Sequence, residues 1–419
     1  MTTFTDLGLA KPLLSARAEE GHKTPTLIQA EAIPALLGGR DLLGIAQTGS
    51  GKTAAFTLPL LHKLLETPEK AKPFRPRALI LTPTRELAGQ VRDRVAAYGA
   101  QTPLRTGLVI GGASINKQKN VLRRGVDILI ATPGRLEDLL KQDAVSFKAV
   151  RYLVLDEVDQ MLDMGFIHAI RAITAKLPEE RQSLFFSATM PREIARLAHA
   201  LLSEPVRVEL KTEARPNINQ RVMFLEKAEK IPALIKIAGN ADVISGIVFS
   251  RTKHGADKIV KKLNAAGVSA QAIHGNRSQG QRERALKAFK SGEARILVAT
   301  DIAARGIDIQ GVSHVINFDL PNVPETYVHR IGRTARAGAA GVAISFCSPE
   351  EQADLRAIER LIGKRFGGPA AKTERANQPR KQPRKRRSAN KRTAPKANPA
   401  VSREADKVIG NLSFMRPTD

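Results

Sequence analysis

Leu42-Leu43-Gly44-Ile45-Ala46-Gln47-Thr48-Gly49-Ser50-Gly51-Lys52-Thr53-Ala54-Ala55-Phe56-Thr57-Leu58 is the stretch that decides the fold. An apolar run, a glycine-rich loop and a helix-forming run in that order predict strand, phosphate-binding loop and helix. The glycines let backbone N–H groups approach phosphate oxygens at a helix N-terminus, where the helix dipole also favours negative charge. In this reading Thr48, Gly49, Ser50 and Gly51 cradle phosphate, Lys52 reaches the β- and γ-phosphates, and the Thr53 hydroxyl can ligate Mg²⁺. Ala46 stands where the general pattern has its first glycine. Outward from this loop, Ala78-Leu79-Ile80-Leu81, Ile128-Leu129-Ile130-Ala131 and Tyr152-Leu153-Val154-Leu155 alternate with helix-length amphipathic stretches. Continuous apolar strands between helices predict an α/β fold with a parallel sheet covered on both faces. The rhythm restarts after residue 220 with Gly246-Ile247-Val248-Phe249, Arg295-Ile296-Leu297-Val298 and Val315-Ile316-Asn317. Polar, proline-broken residues 211–219 read as a linker, so two α/β domains with a ligand cleft between them are expected.

A phosphate site that performs chemistry also needs a carboxylate for the metal and a group to orient water. Asp156-Glu157-Val158-Asp159 follows the run 152–155 directly. Asp156, at the end of a buried strand, is aimed at the sheet's carboxyl edge beside the phosphate loop, and Glu157 is placed to polarise the attacking water. One half of the chain then holds the loop and the carboxylates but lacks cations for the transition state. Arg333 and Arg336 in the other half, three residues apart and on one face if helical, are the candidates. Such a site is complete only when the halves close.

Of 419 residues, 67 are Lys or Arg and 41 are Asp or Glu, a formal net charge of +26 that favours a polyanionic partner, nucleic acid first. Residues 370–419 carry 14 basic and four acidic side chains, five prolines and one aromatic, Phe414. Such a segment cannot build a core and is expected to be disordered until bound. Over the whole chain the 42% apolar content excludes wholesale disorder. The single cysteine, Cys347, excludes an internal disulfide framework and a paired-cysteine metal or redox site. No basic leader with an apolar core and no run of 18 apolar residues is visible, so neither signal peptide nor membrane span is expected and the location expected is cytoplasmic.

Taken in order, these motifs resemble the DEAD-box family of ATP-dependent RNA helicases from Phe4 to about Phe366, with Val158 where the name-giving alanine usually stands. Phe4 and Pro25-Thr26-Leu27-Ile28-Gln29 are similar to the adenine-reading element, Gln29 being the implied partner of the base; His22 and Leu27 depart from the usual aromatic and proline. Pro83-Thr84-Arg85-Glu86-Leu87, Gly111-Gly112 and Thr132-Pro133-Gly134-Arg135 match RNA-backbone contacts of the first domain. Ser187-Ala188-Thr189 matches the element that couples hydrolysis to unwinding, in which Asp159, Ser187, Thr189 and His329 are the implied coupling residues. In the second domain Phe249-Ser250-Arg251-Thr252, Gln279 with Arg282, and Ala299-Thr300-Asp301-Ile302-Ala303-Ala304-Arg305-Gly306-Ile307-Asp308 correspond to further contacts: Arg251, Thr300 and Arg305 to RNA, Gly306 and Asp308 to nucleotide. The run 327–336 resembles the arginine-finger element, with Ala335 replacing a usual glycine.

The resemblance implies two tandem RecA-like domains, 1–208 and 219–366, joined by a linker at 209–218 and followed by a basic tail at 367–419. It implies ATP and Mg²⁺ as ligands, Asp156 and Thr53 holding the metal, and an RNA clamp that closes on ATP, bends one strand and reopens after hydrolysis. RNA is the implied partner, bound through its backbone, and the scarcity of aromatics, three Tyr and no Trp, fits that grip. A DNA-directed relative and a passive RNA clamp are the rival readings, since discrimination of RNA rests on 2′-hydroxyl contacts. Domain spacing and tail look most like the bacterial RhlE-like subgroup. A monomer acting on ribosomal precursors or with RNA-decay factors is expected.

Overall fold

Parallel strand pairing organises both halves of the chain in the computed structural model, which describes residues 3–18, 24–47, 49–210, 218–304, 307, 309, 311–335 and 341–367. The first half contributes β1 (Leu42–Ile45), β2 (Ala78–Leu81), β3 (Thr106–Val109), β4 (Ile128–Ala131), β5 (Tyr152–Leu155), β6 (Gln182–Ser187) and β7 (Val206–Glu209). They form one sheet in the order β3-β4-β2-β5-β6-β1-β7. The second half contributes β8 (Ile218–Phe224), β9 (Gly246–Phe249), β10 (Ala270–Ile273), β11 (Ile296–Ala299), β12 (His314–Asn317) and β13 (Gly341–Cys347), ordered β10-β11-β9-β12-β13-β8. Every pairing between these strands is parallel, as the apolar runs predict.

Successive residues of a strand point to opposite faces, and in the first sheet both faces are dry. Ile128 and Ile130 enter one core with Ala78 and Ile80, whereas Leu129 and Ala131 enter another with Leu79 and Leu81. Two helix layers therefore demand unbroken apolar strands. The second sheet repeats the plan, with Val248, Ile296 and Val298 on one side and Ile247, Phe249 and Leu297 on the other. Edge strands are the exception: Arg207 and Glu209 of β7 and Asn219, Arg221 and Met223 of β8 face solvent while their neighbours are buried or half-buried. The glycine in β1 is required by packing, because a Cβ on Gly44 would lie 2.6 Å from the Phe186 ring of β6.

Strand order positions the site. It sets the carboxyl ends of β1, β6 and β5 side by side, which brings together the loops that start at Ala46, Ala188 and Asp156. The carboxyl ends of β2, β4 and β3 adjoin them and carry the loops at 82–85, 132–135 and 110–113. The first sheet ends at Glu209 and the second begins at Ile218, so the expected boundaries at 208 and 219 each clip one strand by a residue. Residues 211–217 and, apart from Gly367, the expected tail lie outside the described residues.

Candidate functional site

The phosphate loop turns on Gly49 and Gly51, with φ of 88° and 96°. L side chains rarely adopt that region. Gly51 also needs the space: a Cβ there would sit 2.5 Å from Nε2 of Gln29. Gln29 uses both ends of its amide. Its Oε1 accepts from the Thr26 N–H (3.0 Å), closing a capping box on the helix Leu27–Leu37, and its Nε2 donates to the Gly51 carbonyl (3.1 Å). Thr26 adds a bond from Oγ1 to the Ser50 carbonyl (2.9 Å). The element expected to read a base is thus also a clasp on the phosphate loop. Lys52, buried at the start of the helix Lys52–Glu66, donates from Nζ to the Ala46 carbonyl at 2.9 Å. Thr53 follows on the same first turn. Thr48 lies outside the described residues. Phe4, expected at the base, is a core residue packed in the cluster of Leu7, Leu13 and Ile28, so its ring offers no open stacking face.

Asp156 stands where β5 ends and is 2% exposed. Burial pushes its carboxyl up to about 7, Lys52 opposing and Glu157 adding to the rise. Its Oδ1 has no hydrogen-bond partner. A buried carboxylate oxygen left without a partner fits a bound cation, and a carboxylate and a hydroxyl are the hard oxygen donors that suit a hydrated Mg²⁺. No cluster of three or more His, Cys, Asp or Glu that could hold a metal occurs among the described residues. Glu157, also buried, caps the helix Val158–Asp163 with φ of 55°. A left-handed non-glycine residue costs on the order of 1–3 kcal/mol and collects at functional sites. Asp159 reaches the neighbouring loop: its Oδ2 accepts from the N–H groups of Ala188 (3.1 Å) and Thr189 (3.0 Å) and from the Thr189 hydroxyl (3.2 Å). Ser187 donates to the Thr189 carbonyl at 2.7 Å, completing that link.

On the adjoining half of the edge, Thr84 caps the helix Arg85–Tyr98 and Pro83 precedes it. The half-buried Arg85 lies over Gly111 and Gly112, where a Cβ on Gly111 would approach Nη2 to 3.0 Å. Arg135 donates from Nη1 to the Ala113 carbonyl (2.9 Å), and Thr132, Pro133 and Gly134 open its helix. Burial, then Arg282, with Arg135 also contributing, lowers the pKa of Arg85.

Two residues expected to touch RNA or nucleotide do something else. Arg282 donates from Nη2 to Oε2 of Glu86 at 2.8 Å, and Gln279 from Nε2 to Oε1 of Glu86 at 3.4 Å. All three side chains are buried, so this ion pair ties the second sheet's half to the first. Sequence reasoning placed Glu86 inside an RNA-binding run, although an acid repels phosphate and needs a cation; that mismatch was the available signal.

In the second half, Arg251 donates to the Leu320 carbonyl (3.0 Å) and to Asp354 (3.3 Å), and Thr300 closes the end of β11. Arg330, given no role from sequence, is the keystone: it pairs with both oxygens of Asp301 (2.6 and 2.8 Å), donates to Asn317 and to the Asp319 carbonyl, and lies over the Phe249 ring. Arg333 is buried and donates from Nη1 to the Ile307 carbonyl (2.7 Å), within its own half. His329 is exposed one turn away. Arg305, Gly306, Asp308 and Arg336 lie outside the described residues.

The chain matches the DEAD/DEAH box helicase model over residues 26–197 and the helicase conserved C-terminal domain over residues 226–338. It is 43% identical over 368 residues to the DEAD-box ATP-dependent RNA helicase CshA of Bacillus cereus, covering 87% of this chain and 69% of that one. It is 46% identical over 364 residues to the RNA helicase CrhR of Synechocystis, covering 86% and 73%. These names do not single out the RhlE-like subgroup. Among solved structures, Saccharomyces cerevisiae Dbp5 bound to RNA and ADP BeF3 aligns with TM-score 0.76 at 33% identity, covering 87% of this chain and 94% of that one. A variant of Dbp5 bound to Gle1 and IP6 aligns at 0.68 with the same identity, covering 87% and 93%.

Proposed function

This chain belongs to the DEAD-box family of ATP-dependent RNA helicases, and from that premise we propose how its residues divide the work. Gly49, Ser50, Gly51 and Lys52 bind the ATP phosphates, and Gln29 reads the adenine. Thr53 and Asp156 would hold Mg²⁺, which would supply charge neutralisation at the phosphates. Glu157 orients the attacking water and accepts its proton. Arg333 and Arg336 bring positive charge to the transition state from the other half. Arg85, Gly112 and the run 132–135, with Arg251, Thr300 and Arg305, grip the RNA backbone across both halves. The Asp159–Thr189 bonds, with Ser187 and His329, carry the state of the nucleotide loop to that grip. The RNA-bound form separates a short duplex locally, and hydrolysis lets the halves part.

One observation supports this most directly. The Glu86–Arg282 pair is buried between the halves and sits one residue from Arg85, so closure and the shaping of the RNA-facing loop are a single event. The better alignment to the Dbp5 form with RNA and ADP BeF3 than to the form with Gle1 and IP6 supports a closed arrangement. No helix among the described residues is long and apolar enough to cross a membrane. The test is ATP turnover with RNA and with DNA of matched sequence. Strong stimulation by RNA alone is expected, and equal stimulation by DNA would defeat the RNA assignment.

A further inference from the structure

The loops that enter β2, β3 and β4 build a second basic surface. Arg77, Arg105 and Asp127 immediately precede these strands, whereas the RNA-facing residues 83–85, 111–112 and 132–135 follow their other ends. Four-residue strands rise roughly 13 Å, so the two surfaces sit at opposite ends of the same three strands.

An open groove of about 580 Å³ lies between residues 69–73 and the side chains of Arg105 and Arg124. Lys70 and Lys72 complete its cationic lining, Glu69 is the one acid, and no aromatic is present. Glu69 is already neutralised by Arg151, whose Nη2 lies 2.6 Å from its Oε1, and its other oxygen makes only a long contact of 3.9 Å with Lys72. Positive charge is therefore in excess.

The groove is held in shape by its backbone. Gly125, with φ of 81°, lets the chain at Ala71 come close; a Cβ there would lie 2.6 Å from the Ala71 carbonyl oxygen. Phe74 has φ of 58°, donates its N–H to the Leu122 carbonyl (2.9 Å) and accepts from Ser146 N–H (2.8 Å). Beneath the groove Arg77 and Asp127 form a buried ion pair at 2.7 Å. The other oxygen of Asp127 accepts from the Arg105 N–H (2.8 Å), and Arg105 Nη1 donates to the Arg124 carbonyl (3.0 Å). Two left-handed residues and a buried ion pair fix a loop whose exposed charged side chains are cations apart from Glu69. A rigid cationic groove without aromatics suits phosphodiester backbone and reads no bases.

We propose that this groove is an auxiliary RNA-backbone site that holds the part of a long RNA extending past the clamp. The inference takes the family's RNA binding as given and adds a site to it. The test is the triple variant Lys70→Gln, Lys72→Gln, Arg124→Gln, which leaves Arg77, Asp127 and Arg105 in place. Fluorescence anisotropy is read across a salt series with labelled RNAs of about eight and about thirty nucleotides, since a compact single-strand site takes roughly 4–16. Loss of three phosphate contacts should make the log–log salt slope for the longer RNA shallower by roughly 2 units, about a sixteenfold difference in salt sensitivity between 50 and 200 mM. Affinity for the short RNA and turnover at saturating short RNA should not change. Unchanged slopes for both RNAs overturn the proposal. Equal weakening of both also overturns it, because the groove would then belong to the clamp. Loss of poly-glutamate binding with the RNA slopes intact overturns it in favour of an acidic polypeptide.

Discussion

Glu86→Gln and Arg282→Gln, alone and together, probe whether closure of the halves is an electrostatic event. The Glu86 and Arg282 side chains are 2% and 10% exposed and their charged atoms lie 2.8 Å apart. Removing one member of such a pair typically costs ~3–5 kcal/mol when the other charge stays buried. Here the stranded charge can return to water by parting of the halves, so the cost falls on the closed form and not on folding. About 3 kcal/mol shifts the closing equilibrium by roughly a hundredfold. RNA affinity measured with a non-hydrolysable ATP analogue should weaken by about that factor in each single variant. Affinity without nucleotide should move little, because nothing then holds the halves closed. Each glutamine can still hydrogen-bond its neighbour, so the double variant should recover part of the loss, with a coupling energy of about 2 kcal/mol. Effects that add within about 0.5 kcal/mol would refute the reasoning.

Four other outcomes are expected. Glu157→Gln keeps the shape of the side chain and should leave ATP and RNA binding intact while slowing hydrolysis by roughly 10³-fold, in a single-turnover assay that separates chemistry from release. Arg333→Ala should cut turnover by roughly 10²-fold if the side chain exchanges the Ile307 carbonyl for the phosphates when ATP binds; an unchanged rate with a lowered melting temperature would make it a purely structural residue. Burial, with Glu351 next, pushes the Cys347 thiol up to about 11 from 9.0, so at pH 8 it should carry about a hundredfold less thiolate and alkylate only as fast as its surroundings open; rapid labelling of the native protein would contradict that. Truncation after residue 367 should make the salt dependence of RNA binding shallower by roughly 3 units if the basic segment engages about five phosphates, with turnover at saturating RNA unchanged; superimposable slopes would leave that segment without an RNA role.

Much of this was legible in the sequence for a physical reason. A strand covered on both faces must be apolar at every position, which is why β2, β4, β5 and β9 stand out as unbroken runs. Edge strand β8 is buried on one side only; its weak alternation let Ile218 be assigned to the linker. The phosphate loop and Asp156 were readable because their chemistry is local: glycines, lysine and hydroxyl within a few residues, and a carboxylate at a strand's end. Pairings between distant residues were not. Glu86 and Arg282 are 196 positions apart, and nothing near either names the other. Arg77 and Asp127, 50 apart, meet only because β2 and β4 are neighbours, and the order of strands is not written in their composition. Arg330 was hidden by its neighbours: in a run of cations, only the fold shows which one turns inward to Asp301.

Lys52 and Gln29 already have partners within the protein, and that bears on where binding energy and selectivity come from. Lys52 donates to the Ala46 carbonyl and Gln29 to the Gly51 carbonyl. An arriving phosphate replaces a neutral acceptor of Lys52 with an anionic one, and hydrogen bonds between charged partners are roughly twice as strong as neutral ones. An arriving base can offer Gln29 only a neutral acceptor in exchange for a neutral acceptor, a step that is nearly even. Affinity should therefore reside in the phosphates, while the base acts by what it releases. If Gln29 turns to the base, Gly51 loses its clasp, and only the bond from the Thr26 hydroxyl to the Ser50 carbonyl is left of the two that tie the loop to the start of the helix Leu27–Leu37. On the proposed role of Gln29, a nucleotide whose base cannot take over its amide should leave that bond to Gly51 in place, so discrimination is expected in the movement of the loop more than in the strength of a single contact.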